Sequence, residues 1–197
     1  MGITINYSGR LKPSASLQQL IAEIKDISEI LNWKYFIFET EFPDASANPE
    51  EYDGKIYGIC CTPNECETLF ISFLSNRRMC SPVNLKFFAD DTDPEHEGYL
   101  YMLHTKTQFA GWEVHKAIVH LLKYLNSKYL DEFKVIDEGN YWDTEDEQLL
   151  IKTFGHYNLL LDQFVDALKT MPSVPDETPG TLADRLIAHL KNKFPDK

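Results

Sequence analysis

Between residues 3 and 42 the apolar spacing changes period twice, which limits the chain to folds that mix helix with sheet. Ile3 to Tyr7 alternates in the manner of a strand and ends at Ser8-Gly9, a turn dipeptide. From Leu17 the period lengthens. Leu17, Leu20, Ile21, Ile24, Ile27 and Leu31 fall at helical spacing behind Ser16 and Gln19, which have the capping-box arrangement. Trp33 to Phe42 is then aromatic and β-branched. It puts Lys34, Phe36, Phe38, Thr40 and Phe42 on one face and Trp33, Tyr35, Ile37, Glu39 and Glu41 on the other. With 43% hydrophobic and 25% charged residues over 197 positions, such a chain has enough apolar surface to bury a sizeable core.

The same order returns later. Tyr99 to Lys106 alternates, Val114, Ile118, Leu121, Leu122, Leu125 and Tyr129 have helical spacing after Gly111, and Phe133 to Asp137 is a short strand. The two stretches match in element order, not in residues. Between them Lys55 to Cys61, Thr68 to Leu74 and Val83 to Phe88 read as strands, joined by links short enough for an antiparallel meander. The expectation is an α+β fold: one mixed, largely antiparallel sheet with two long helices on one face and a helical C-terminal part.

Thr144 and Glu147 repeat the capping-box spacing before a helix that runs to Met171, with Gly155 inside it. Residues 1–172 are expected to form a single α+β domain, and the SVPDETPG stretch at 173–180 a linker. Residues 181–197 then form an amphipathic helix with Leu182, Leu186, Leu190 and Phe194 at intervals of four. That helix is expected to pack on the same domain; the alternative is docking onto a second copy as a homodimer.

Charge narrows the partners. The 31 acids against 19 bases give a net charge of -12, which repels phosphate backbones and anionic membranes and attracts a basic protein. The first residues lack a basic stretch followed by an apolar one, and no run approaches the roughly 18 apolar residues of a membrane span, so the protein is expected to be cytoplasmic. Gly2 lacks the Ser or Thr that myristoylation wants at position 6, where Asn6 stands. Cys60, Cys61, Cys66 and Cys80 contain no Cys-x-x-Cys spacing, and the neighbours Cys60 and Cys61 point to opposite faces of a strand. They read as reduced, buried thiols, and neither a metal nor a cofactor is expected.

Three constellations carry potential chemistry. Asp91, Asp93, Glu95 and Glu97 occupy every second position, but an EF-hand loop would need Gly at His96 and Glu at Met102. His115 and His120 are five apart, so a helix turns them about 140° from each other, whereas zinc-protease helices use a spacing of four. His104 and His115 can still approach each other with Glu113 nearby. Asp137 and Glu138 precede a glycine turn at a strand end, a frequent place for functional groups, whereas Glu145, Asp146 and Glu147 suit the amino terminus of a helix. No Gly-x-Ser-x-Gly elbow, Walker loop or Gly-x-Gly-x-x-Gly is present. Arg77 and Arg78, with Lys86, form a local basic spot able to hold a phosphate or a carboxylate.

Two functional readings follow. Residues 39–53, 90–97 and 131–147 carry 6, 5 and 8 acids, and Lys134 is the only base among them. If the fold gathers these segments, Asp90, Asp91, Asp93, Glu95, Asp143 and Glu145 face a basic partner protein, as in an inhibitor, an immunity protein or a regulatory adaptor. The alternative is a small hydrolase-type enzyme with His104, His115, Asp137 and Glu138 as acid, base or ligand groups, which requires that the four share a concave pocket.

Overall fold

The structure, a computed structural model, describes residues 2–44, 48, 50–96, 98–172, 174, 176 and 178–193, without the side chains of 190–193. Glu97, the linker residues Ser173, Pro175 and Glu177, the side chain of Leu190, and Phe194 lie outside the described residues.

The fold is α+β with a helical C-terminal part. Its strands form two three-stranded antiparallel sheets. In the first, β1 (Thr4–Leu11) lies between β5 (Leu103–Lys106) and β6 (Leu130–Asp137). Both neighbours run antiparallel to β1, hence parallel to each other, and α3 (Trp112–Lys128) is the crossover between them, a split βαβ arrangement. In the second sheet β2 (Lys34–Ile37), β3 (Tyr57–Thr62) and β4 (Leu69–Phe73) lie in chain order and antiparallel. Of the meander expected over residues 55–61, 68–74 and 83–88 only the first two strands form, and β2 rather than 83–88 completes the sheet. The strand–helix–strand of residues 3–42 therefore leads from one sheet into the other, and is no second copy of the β5–α3–β6 unit.

One edge of β1 is shared. Its first half pairs with β5, and Gly9 to Leu11 pair with the turn after β4, through Leu11 N donating to Arg77 O and Met79 N to Gly9 O, both at 2.9 Å. Tyr7 makes the second join: its buried hydroxyl donates to Phe70 O at 3.1 Å and accepts from Phe70 N at 3.0 Å. The two small sheets are thus fastened along one strand rather than fused into one.

The first helix follows its sequence closely. α1 (Leu17–Ile30) starts where Ser16 Oγ accepts from Gln19 N at 3.3 Å, and it buries Leu17, Leu20, Ile21 and Ile24. It ends at Asn32, whose φ of 54° breaks the turn before Trp33.

One expected strand is a helix, and another is shortened to its last four residues. Val83 to Phe88 alternates in sequence, yet α2 (Pro82–Phe88) is helical, because Ser81 caps it and Pro82 sits at its first turn. Asn84 is then turned inward and buried, and its Nδ2 donates to Tyr99 O at 2.7 Å and Met102 O at 2.8 Å. That hold makes Tyr99–Tyr101 a 3₁₀ turn, so β5 begins only at Leu103. Asn84→Ala removes the donor to Met102 O and leaves Tyr99 O with only the amide of Met102, and it is expected to lower stability by about 2 kcal/mol, measured by urea unfolding. An unchanged midpoint would mean that water replaces the amide at no cost.

The chain divides into a compact unit of residues 1–151 and a second of 152–197, and α5 (Glu147–Thr170) runs across the division without a break at Gly155. Within the second unit α6 (Pro179–Lys193) is capped by Thr178, whose Oγ1 accepts from Thr181 N at 3.3 Å, and Arg185 Nη1 donates to Pro172 O at 2.7 Å. Ala167 and Leu186 are buried, while Leu159, Leu160, Phe164, Val165, Leu168 and Ile187 are exposed.

Candidate functional site

At one end of the first sheet the start of β1 meets the ends of β5 and β6. Thr107 N donates to Ile3 O at 2.9 Å and Glu138 N to Thr4 O at 3.1 Å. One turn into α3, His115 is brought down onto this end with its side chain wholly buried. Its Nδ1 lies 2.7 Å from Thr107 Oγ1, and its Nε2 lies 3.0 Å from Asp137 Oδ1, on a side chain only 1% exposed. Asp137 also accepts from Gly139 N at 2.7 Å and from Trp142 N at 2.8 Å. Gly139 has to be glycine here, because a Cβ would stand 2.7 Å from His115 Nε2.

The proton inventory of this trio is small. Thr107 has one hydroxyl proton and two candidate acceptors, Ile3 O at 3.2 Å and His115 Nδ1. If the proton goes to Ile3, the ring donates from Nδ1; if it goes to the ring, the imidazole keeps its proton at Nε2. In the second case the neutral ring turns its Nε2 proton toward the Asp137 carboxylate, whereas in the first case Nε2 carries a proton only in the doubly protonated ring. Burial alone would push the Asp137 carboxyl up, but the His115 ring, its charge, and the amides of Trp142 and Gly139 outweigh it and hold the group below its ordinary value. Both side chains are buried at this contact.

The other two residues of the enzyme reading lie apart from this pair. His104 is exposed on β5 and lines a cleft of about 420 Å³ with Cys66, Phe70 and Val83. Glu138 Oε2 accepts from Thr4 N at 2.8 Å and so closes the end of β1. His115 meets Asp137 rather than His104 or Glu113, and His120 faces away, with its Nε2 3.3 Å from Tyr141 OH. Thr107 had no signal in the sequence. Gly139 had one, since Asp-x-Gly is a side-chain-to-backbone turn of the kind Asp137 makes.

The acidic segments are partly brought together. Tyr52 OH donates to Ala89 O at 3.3 Å, which sets the 39–53 segment beside the 90–95 loop. In that loop Asp93 N donates to Asp91 Oδ1 at 2.9 Å, Glu95 N to Asp93 Oδ1 at 3.0 Å, and His96 Nδ1 lies 2.7 Å from Asp91 Oδ2. The Asp93 amide and the His96 ring hold the Asp91 carboxyl below its usual range. Asp90, Asp91, Asp93 and Glu95 are exposed. Asp143 and Glu145 belong instead to the end of α4 (Tyr141–Thr144), where Glu145 pairs with Lys123 of α3; Glu147, which opens α5, pairs with Lys116 of the same helix α3.

Cys60, Cys61 and Cys80 are buried and Cys66 is half-buried, all as free thiols. Burial pushes Cys61, Cys66 and Cys80 up to about 12, so they are poor nucleophiles at neutral pH. Among the described residues no group of three or more His, Cys, Asp or Glu is arranged to hold a metal ion, and no helix is long and apolar enough to cross a membrane. No protein-family model, curated protein or solved structure matches this chain.

Proposed function

We propose that the protein is an interaction module that offers an acidic face to a basic partner protein, in the manner of an inhibitor, an immunity protein or a regulatory adaptor. The observation that carries the reading is the Tyr52–Ala89 hydrogen bond, which sets exposed carboxylates of two separate segments side by side. The backbone amides that orient Asp91 and Asp93 lower the entropy lost when a partner docks, and a net charge of -12 speeds encounter with a cation-rich surface. In this reading Asp90, Asp91, Asp93 and Glu95 make the contact, while Asp143 and Glu145 add to the long-range field, since Glu145 is already paired. Such a partner associates quickly at low salt and is released as screening shortens the range of the field.

The test is a pull-down from cytosolic extract at 50 mM and 500 mM salt, with the wild type beside an Asp91→Lys/Asp93→Lys/Glu95→Lys triple variant. A basic protein held by the wild type at low salt only, and lost with the variant, is the expected outcome. Equal retention by both proteins contradicts the acidic face. Recovery of nothing but further copies of this chain favours a second reading, a homodimer formed through the exposed apolar residues Leu160, Phe164 and Ile187 of the helical unit.

A further inference from the structure

The chain has fifteen lysines and only four arginines, and three of the four, Arg10, Arg77 and Arg78, gather at one place. Arg10 on β1 and Arg78 on the turn after β4 are directly opposed in an antiparallel bridge, a pairing that like charges disfavour. Between them sits a carboxylate. Glu50 places Oε2 3.1 Å from Arg78 Nη1 and Oε1 3.8 Å from Arg10 Nη2. The arginines are also oriented by flat partners. Arg78 stacks 3.4 Å from the centre of the Tyr101 ring, and Arg77 stands 4.8 Å over Phe42 while donating to Lys12 O at 3.1 Å. Arg10 Nε is buried without a hydrogen-bond partner among the described residues.

Two open clefts meet this cluster. One, of about 480 Å³, is lined by Arg10 and Arg77 but also by Asp44, Glu51 and Asp53; the other, of about 570 Å³, has Arg78 and Lys134 on its wall with Glu132 and Phe133 and is the less acidic of the two. Volumes of that size suit small molecules, and a chain of net charge -12 repels an acidic macromolecule. We infer that Arg10 and Arg78, flanked by Lys134, are a receptor for the compact oxyanion of a small molecule, a carboxylate or a phosphate, and that Glu50 fills the seat as an internal carboxylate.

Three features carry this beyond a fastening for the Glu50 loop. A guanidinium fork matches an oxyanion in two bonds where a lysine offers a point charge, and in an otherwise lysine-rich chain the arginines are spent here. Glu50 makes only one close bond, and its side chain is 61% exposed, so it is a weak occupant that a freely diffusing anion can replace. The unpartnered Arg10 Nε is a buried donor that an incoming oxygen would satisfy. The site does not depend on the acidic-face reading, because it needs cations where that reading needs carboxylates.

The experiment is calorimetric titration of the full chain with sodium phosphate and, separately, sodium succinate, at constant ionic strength. The proteins are the wild type, Glu50→Gln, and Glu50→Gln combined with Arg78→Lys. The lysine keeps the charge and removes the fork, and circular dichroism confirms that each protein is folded. At least fivefold tighter binding with Glu50→Gln, weakened at least tenfold by adding Arg78→Lys, is expected. Phosphate binding alone assigns the site to a phosphorylated ligand, succinate binding alone to a carboxylate, and binding of both to oxyanions in general. No binding of either anion to folded Glu50→Gln, or binding that Arg78→Lys leaves unchanged, overturns the proposal.

Discussion

Asp137→Ala is expected to lower folding stability by about 3–5 kcal/mol, the range found when one member of a buried ion pair is removed. The carboxylate is 1% exposed and serves three groups at once: the His115 ring and the amides of Gly139 and Trp142. Without it, one buried and one half-buried amide and a buried polar ring lose their acceptor. The effect should also depend on pH with a definite sign. The folded carboxyl is held below its ordinary value, so near pH 4 the unfolded chain binds more protons than the folded one and stability rises with pH. The contribution is complete above the unfolded value of about 3.9 and is lost as pH falls through the folded one. Urea unfolding of the wild type and Asp137→Ala at pH 7 and pH 3 should show a large gap that narrows in acid. A gap of equal size at both values would assign the loss to packing rather than to charge.

How much of this was legible in the sequence depends on the range of the cause. α1 was readable because its cap and its apolar stripe lie within a few residues, and the β3–β4 hairpin because its link is short, whereas the pairing of β2 with β3 spans the long segment between Ile37 and Tyr57. α2 was misread for a local reason. Val83, Leu85 and Phe87 alternate like a strand, while the overriding signal, Ser81-Pro82, lies just ahead of them. The way the two sheets are fastened together was not legible at all, since it rests on the Tyr7 hydroxyl reaching Phe70 and on the 77–79 turn lying along β1. The candidate sites divide in the same way. His115 and Asp137 were both singled out, but their pairing spans 22 positions and needs α3 to be laid across the end of β6. Arg77 and Arg78 stood out as neighbours, yet Arg10 and Glu50 join them only in the fold, and Lys86 lies instead on α2, beside Phe87.

Gly58→Ala should be the most damaging of the glycine substitutions, at about 4 kcal/mol, and its cause is a crossing of three backbones. Gly58 has φ 115°, where an L side chain is strained, and a Cβ there would stand 2.6 Å from Ile71 O and 3.1 Å from Ser72 Cα. Both obstacles are main chain of β4, so no side-chain rotation relieves them. Nor can β3 move away, because Phe38 N donates to Gly58 O and Gly58 N to Glu39 O, each at 2.9 Å, where the chain leaves β2. The strand is thus held from both sides. Two other glycines separate the contributions. Gly98 has φ 87° with nothing within 4 Å of its Cβ position, so Gly98→Ala should cost about 1 kcal/mol from backbone strain alone. Gly155 lies inside α5 with open space around it, and Gly155→Ala should stabilise by up to about 1 kcal/mol. Denaturant midpoints of the three variants, ordered Gly155→Ala above wild type above Gly98→Ala above Gly58→Ala, test the account. If Gly58→Ala unfolds no earlier than Gly98→Ala, the close approach of β4 is not real. The consequence reaches the arginine cluster, because β4 runs directly into the turn that lays Arg77 and Arg78 against β1.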